Sequence, residues 1–302
     1  MRRALVIGCG ATLGFTWTAA VLDALSEWDP RGADVLIGTS AGAEMVAMLG
    51  AGIAPEEIMA ALAGTADAHP VVAAHLATVP HRFPPLPSPR WPATGLTRAK
   101  VDGLARLAGL LPRGRGDAAW LKRLGDTLAP NGWVTHPATW LVATDPHGNR
   151  VAFGSPDAPA CTLGEAIAAS WAVPGWFPPV EIAGGRYLDG GTVSPTSADL
   201  LLDRDVEEVV IVAPMSSEGG APARGPARLE RLIRKAMTRR VDAEVLALRQ
   251  AGARVIRIEP SSEDLAAMGA NFMDGRRRQR VLDTAIGTAP RLVAEAFEGA
   301  TA

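Results

Sequence analysis

The sequence predicts an α/β fold built on a mostly parallel sheet, and two patterns carry that expectation. A short apolar strand, a glycine-bearing turn and a helix follow one another from Ala4 to about Glu27, and the same succession returns from Val35 to Leu49. The last third then alternates helix, strand and helix. With 302 residues, 48% of them hydrophobic, the chain has enough apolar material for one large core.

The elements follow in order. Ala4-Leu5-Val6-Ile7 forms a first strand and Val35-Leu36-Ile37 a second, short and buried, with a helix starting in Ala43 to Leu49. From His69 the composition shifts, and Pro70, Pro80, Pro84, Pro85, Pro87, Pro89 and Pro92 predict an irregular excursion instead of a continuous helix or strand. Two helices are expected next, over about Arg98 to Leu111 and Asp117 to Leu128. Trp140 to Thr144 and Val151 to Phe153 read as a hairpin turning around His147-Gly148-Asn149. A helix near Leu163 to Ser170 precedes the loop Pro174-Gly175-Trp176-Phe177-Pro178-Pro179, and strands are expected near Arg186 to Leu188 and Val209 to Val212. The pattern closes with a helix over about Ala227 to Ala251, a strand at Arg254 to Ile258 and a helix over about Arg277 to Phe297. No internal repeat of solenoid length is present.

Composition excludes several classes. A formal net charge of −2 gives no global attraction to nucleic acid or to an anionic membrane. Two cysteines, Cys9 and Cys161, do not make a disulfide scaffold and suit a reducing cytosol. The apolar segment after Met1-Arg2-Arg3 is too short for a signal-peptide core, and no run reaches the roughly 18 apolar residues of a membrane span. A cytoplasmic protein is expected, with membrane contact at most peripheral.

The chemistry concentrates in three places. Gly38-Thr39-Ser40-Ala41-Gly42 lies between an apolar strand and a helix, where flanking glycines permit a sharp turn that exposes the Ser40 hydroxyl; the stretch reads as a nucleophile turn or as an ordinary tight turn. Serine needs a base. A hydrolase triad places its histidine after the acid, late in the chain, yet the histidines here are His69, His75, His81, His136 and His147, and none follows His147. Each reads as a solvated loop residue. A carboxylate is the alternative, and Asp189 in Tyr187-Leu188-Asp189-Gly190-Gly191 is the best placed, either as that base or as a plain Asp-Gly turn. To act on serine it needs direct hydrogen bonding, partial desolvation and a nearby anion site. Gly8-Cys9-Gly10-Ala11-Thr12-Leu13-Gly14 offers that site, because N–H groups of a glycine turn at a helix start point toward negative charge. A dinucleotide loop is the rival, weakened by the Gly-x-Gly-x-x-x-Gly spacing and by the lack of an acid after the second strand. Cys9 reads as a small buried hydrophobe before it reads as a second nucleophile.

Taken together, the glycine loop at 8–14, the serine turn at 38–42 and Asp189-Gly190-Gly191 resemble the patatin-like phospholipase family. The resemblance extends over most of residues 4–213 and includes Ala169-Ser170-Trp171-Ala172-Val173-Pro174-Gly175-Trp176-Phe177-Pro178-Pro179, similar to that family's segment before the acid. It implies a three-layer sandwich with a central, mostly parallel sheet between helices. It further implies that Ser40 is the nucleophile and Asp189 its dyad partner, with an oxyanion hole drawn from Gly8, Gly10, Ala11 and Ala41 and shaped by Gly14, Gly38, Gly42, Gly190 and Gly191. Two departures stand out: Thr12-Leu13 occupy the place where the family carries a basic residue before the last glycine, and residues 64–130 match nothing in it.

The expected activity is hydrolysis of lipid acyl esters through an acyl-enzyme, with an acyltransferase and a non-catalytic lipid-binding protein as alternatives. No cofactor and no metal are expected, since the acidic residues, histidines and cysteines show neither zinc nor calcium spacing. One domain over 1–302 is expected, with 64–130 an insertion or lid and 214–302 a helical extension containing one strand. Trp91, Trp171, Trp176 and Phe177, beside prolines, either line an acyl pocket or anchor the core. Between Arg224 and Arg240 seven basic residues face one acid, Glu230, while Leu229, Leu232, Ile233, Met237 and Val241 recur near helical spacing. A packed helix with a solvated arginine face is the expectation, and a basic helix on lipid headgroups the alternative. Arg276, Arg277, Arg278 and Arg280 invite the same two readings.

Overall fold

The computed structural model describes residues 1–79, 87, 88, 96, 101, 103–218, 220, 225 and 227–300. Its strands are β1 (Arg3–Ile7), β2 (Val35–Thr39), β3 (Thr139–Thr144), β4 (Arg150–Phe153), β5 (Val180–Ile182), β6 (Gly185–Asp189), β7 (Glu208–Val212) and β8 (Arg254–Ile258). The helices are α1 (Ala11–Ala24), α2 (Ala41–Gly50), α3 (Pro55–Ala63), α4 (Pro70–Thr78), α5 (Gly103–Gly109), α6 (Ala119–Leu128), α7 (Leu163–Ser170), α8 (Ala227–Gln250), α9 (Ser262–Met268) and α10 (Arg278–Gly299).

Alternation along each strand explains the layers. Leu5, Ile7, Leu36, Val210, Val212, Ile256 and Ile258 point into one core, under α1, α2, α7, α9 and α10. Ala4, Val6, Val35, Ile37, Val209, Ile211 and Val255 point into another, under α8 and the turn at Ala198–Leu201. With both faces covered, these strands are apolar at nearly every position, which is why the sequence shows short continuous runs. β3, β2, β1, β7 and β8 lie side by side, each neighbouring pair parallel; β6 and β4 join β3 antiparallel, and β5 extends β6. The expected sandwich of helices around a mostly parallel sheet is the observed one.

Three local expectations are corrected. Residues 70–78 form helix α4, because Pro70 stands at its first position, where the missing N–H is no loss. The short β5 and the helices α3 and α9 were not expected. The third is His75: instead of lying in solvent it is 5% exposed, on α4, stacked on Trp120 at 5.1 Å and 2.6 Å from Glu44 of α2. Residues 214–300 supply β8 to the main sheet and α10 to the layer over α1. Among the described residues no helix is long and apolar enough to cross a membrane.

Candidate active site

The site lies at the carboxyl ends of β1 and β2. β1 has β2 on one side and β7 on the other, so connections leave it in opposite directions and a crevice opens beyond its end. β2 stops at Thr39, and Ser40 turns the chain into α2 with φ +57° and ψ −119°, a conformation a residue with a side chain adopts only when its surroundings enforce it. The surroundings are visible. A Cβ on Gly42 would collide with the Ile7 carbonyl, and one on Gly38 with the Gly42 carbonyl, so the two glycines let strand and helix touch. The Ser40 N–H donates to the buried Ser170 hydroxyl at 2.8 Å, which donates onward to the Val142 carbonyl at 2.7 Å. Ser170, the last residue of α7, therefore ties the serine turn to β3.

Register brings Asp189 alongside. β4 occupies one edge of β3 from Leu141 to Thr144. β2 holds the other edge as far as Thr39 opposite Val142, and β6 takes that same edge at the next residue, Asp189 opposite Ala143. Asp189 thus fills the place beside β3 that β2 vacates when the chain turns at Ser40. Gly190 follows against Val142 and Thr39, where a Cβ would lie 2.6 Å from the Val142 carbonyl oxygen. The Asp189 carboxylate accepts the Gly191 N–H at 2.7 Å. It is 4% exposed, and burial pushes its pKa up to about 7, while hydrogen bonding by the Ser40 side chain and the Gly191 N–H pulls partly the other way.

The glycine loop supplies donors, though fewer than expected. The Gly8 N–H is held by the Val212 carbonyl at 2.9 Å and the Cys9 N–H by Pro195 at 2.8 Å, so Gly8 has no donor to spare. Gly10, Ala11 and Ala41 donate to no protein acceptor among the described residues; Ala11 and Ala41 open their helices, where N–H groups have no intrahelical partner. Ala11 carries a positive φ of 50°, so two strained non-glycine residues, Ala11 and Ser40, line the same crevice. Cys9 is buried, and burial with the charge of Asp189 pushes its thiol up, away from the reactive thiolate.

A cavity of about 390 Å³ joins these groups. Ser40, Asp189, Cys9, Gly10, Ala11 and Gly191 form its polar end; Leu111, Val173, Trp176, Ile233, Met237 and Phe272 are among its apolar walls. Among the described residues no lysine, arginine or histidine lines it. Gly8 and Ala41 are not part of the wall.

Of the expected substrate contacts, Trp176 lines the cavity. Trp171 does not: it is 1% exposed and packs edge-on against Trp120, 5.6 Å away, as a core anchor. Phe177 is likewise buried, against Gly116. Trp91 lies outside the described residues. Ile233 and Met237 were visible as helix periodicity, whereas Phe272 had no sequence signal. Arg234, expected on a solvated face, is 1% exposed. Among the described residues no group of three or more histidine, cysteine or acidic side chains is arranged to hold a metal ion.

The full chain aligns with the crystal structure of VipD from Legionella pneumophila at 15% identity and a TM-score of 0.43, covering 98% of this chain and 67% of that one. It aligns with the type III effector protein ExoU at 15% identity and a TM-score of 0.38, covering 97% of this chain and 53% of that one. No curated protein matches the sequence. The patatin family, described as patatin-like phospholipase, matches residues 5–202, a stretch that runs from β1 through the serine turn and beyond Asp189. Over that length the match is one of family, and the chain belongs to the patatin-like phospholipases.

Proposed function

We propose that the chain is a serine hydrolase of lipid acyl esters, with Ser40 as nucleophile and Asp189 as its base. The observation that carries this is the hydroxyl of a strained serine beside a buried carboxylate, at the polar end of an otherwise apolar cavity. A carboxylate raised to about 7 is a far better match to a hydroxyl proton at neutral pH than an ordinary aspartate. Cavity size and apolar lining suit an acyl chain.

In the first step Asp189 takes the Ser40 proton as Oγ bonds to the ester carbon. The carbonyl π electrons move to oxygen, and the N–H groups of Gly10 and Ala11 hold the charge. Collapse breaks the bond to the alcohol, which leaves with the proton from Asp189, and an acyl-serine remains. Water then gives a proton to Asp189 and attacks the acyl carbon; Ser40 departs, regains its proton, and the fatty acid is released. The substrates are phospholipids, lysophospholipids or simpler carboxyl esters.

The test is hydrolysis of p-nitrophenyl esters of increasing chain length, then of phospholipid, by wild type, Ser40→Ala and Asp189→Asn, each checked by thermal melting. Activity lost in both folded variants, with fluorophosphonate labelling lost in Ser40→Ala, supports the dyad. Activity that persists in Ser40→Ala would remove Ser40 from the chemistry; a wild type that binds vesicles yet turns over no ester would leave a binding protein.

A further inference from the structure

Arg234 is the buried cation that the mechanism above leaves unused. It sits on α8 between Ile233 and Met237, both of which line the cavity, and is 1% exposed. Removing a guanidinium from water is costly unless every donor is matched, and this one is matched only in part. Nε donates to Glu230 Oε1 at 2.7 Å, and Nη1 donates to the carbonyls of Pro214 at 2.7 Å and Ser216 at 3.2 Å. Nη2 has no acceptor among the described residues. Glu230, itself buried, is shared with Arg231, and the charge of Glu259 also reaches Arg234. A packing staple would account for the Nη1 bonds; it does not account for a buried guanidinium nitrogen left without an acceptor among the described residues.

The neighbours of Arg234 indicate what the charge serves. Pro214, whose carbonyl it holds, presses its ring on the glycine turn: a Cβ on Gly10 would lie 2.8 Å from Pro214 Cγ, and one on Gly14 3.3 Å from Pro214 Cβ. Phe272, whose ring centre is 5.7 Å from the guanidinium carbon, lines the cavity, and its carbonyl accepts the Leu13 N–H at 3.0 Å. Two of the segments that hold the turn bearing Gly10 and Ala11 are therefore in contact with Arg234. The turn itself, Gly8 to Gly14, contains no basic residue, and among the described residues no cation lines the cavity. At Cys9, in the cavity wall, the charge of Arg234 favours the anion while that of Asp189 opposes it.

We propose that Arg234 is a positioning residue of the oxyanion site: through Pro214 and Phe272 it fixes the turn that presents Gly10 and Ala11, and from behind that wall it provides positive charge toward the ester oxygen as it becomes negative. The proposal rests on the serine-hydrolase reading of Ser40. Because the charge it answers exists only in the transition state, its removal falls on kcat and not on KM.

The experiment measures kcat and KM for a p-nitrophenyl ester, and the rate of Ser40 phosphonylation by a fluorophosphonate, whose phosphoryl oxygen enters the same site. Wild type, Arg234→Gln, Arg234→Lys and Ser40→Ala are compared, with melting curves for each. Arg234→Gln is expected to lower kcat at least tenfold and phosphonylation in parallel, with KM within twofold. Arg234→Lys, which keeps the charge, is expected to recover a large part of both rates. Glu230→Gln, which leaves Arg234 with less countercharge, keeps kcat at or above wild type and serves if Arg234→Gln does not fold. A folded Arg234→Gln with kcat within twofold of wild type, a loss confined to KM, a Lys variant no faster than Gln at equal melting temperature, or a tenfold fall in folded Glu230→Gln would each overturn the proposal. Turnover that survives Ser40→Ala overturns the hydrolase reading instead; turnover lost in Ser40→Ala and kept in Arg234→Gln removes only the role of Arg234.

Discussion

Asp189 is a carboxyl group held near half-ionised at neutral pH, and both activity and stability follow from that. As the base of Ser40 it acts only when ionised, so kcat/KM is expected to rise with pH along a limb with an apparent pKa near 7, measured with a neutral ester. A limb near pH 4 would detach Asp189 from the proton transfer. Stability moves the opposite way. Below about pH 4 folded and unfolded chains both carry the proton; between about 4 and 7 only the folded chain keeps it, so stability falls as pH rises and the loss is complete above 7. At 1.36 kcal/mol per unit the loss is on the order of 4 kcal/mol. Asp189→Asn is therefore expected to be inactive yet to unfold at higher urea than wild type at pH 8, with the gain disappearing at pH 4; equal midpoints at pH 8 would contradict a buried charge. Ser170→Ala removes the acceptor of the Ser40 N–H and the donor to Val142, and a loss of about 1–3 kcal/mol is expected together with lower kcat. The turns that carry Ser40 and Asp189 were legible because each is a short motif whose neighbours must be glycine. Ser170 and Arg234 were not, since their importance arises where distant segments meet, and an isolated serine or an arginine in a basic run looks the same whether buried or exposed.

At the scale of elements, the helix that carries Ser40 is tied to the chain preceding residue 80. Glu44, in the first turn of α2, lies 2.6 Å from His75 of α4, and His75 stacks on Trp120 of α6; the side chains of His75 and Glu44 are 2% and 3% exposed. Removing one partner leaves the other's buried polar group without its hydrogen bond, at about 1–3 kcal/mol. His75→Leu is expected to lose that much in urea unfolding, and adding Glu44→Leu to restore a substantial part of it, because no unpaired carboxylate then remains. If the double variant were as unstable as the two single losses summed, the two side chains would not be coupled. Sequence pattern missed this contact for a specific reason. In the sequence Pro70 reads as a helix breaker, whereas it starts α4, and an irregular stretch there gives His75 no face to be buried on. The three residues of β5 failed for another reason: a strand that short has no period to detect.

For the molecule as a whole, the sheet core was readable and the crevice was not. Runs such as Ala4–Ile7 and Val209–Val212 have to be buried on both faces, which dictates helices above and below whatever the order of strands. That β6 would run antiparallel into the place left by β2 depends on β3 pairing with β2 about 100 residues before it and with β6 about 45 residues after it, and no local pattern records it. The cavity is more remote still from the sequence, because its walls come from α5, the loop at 173–176, α8 and residues 270–272. That composite origin gives a prediction about specificity. Met237 and Ile233 stand on one rigid helix on the wall of a cavity of about 390 Å³, so enlarging one of them shortens the space open to an acyl chain without touching Ser40 or Asp189. Each methylene that no longer fits is worth roughly 1–3 kcal/mol in transition-state binding. Met237→Trp is expected to keep kcat/KM for acetyl and butyryl esters within about threefold while lowering that for dodecanoyl esters by at least tenfold, and Met237→Ala to leave the long-chain ester favoured. A Trp variant that slows all chain lengths equally would mean that the acyl chain leaves Ser40 along a different wall.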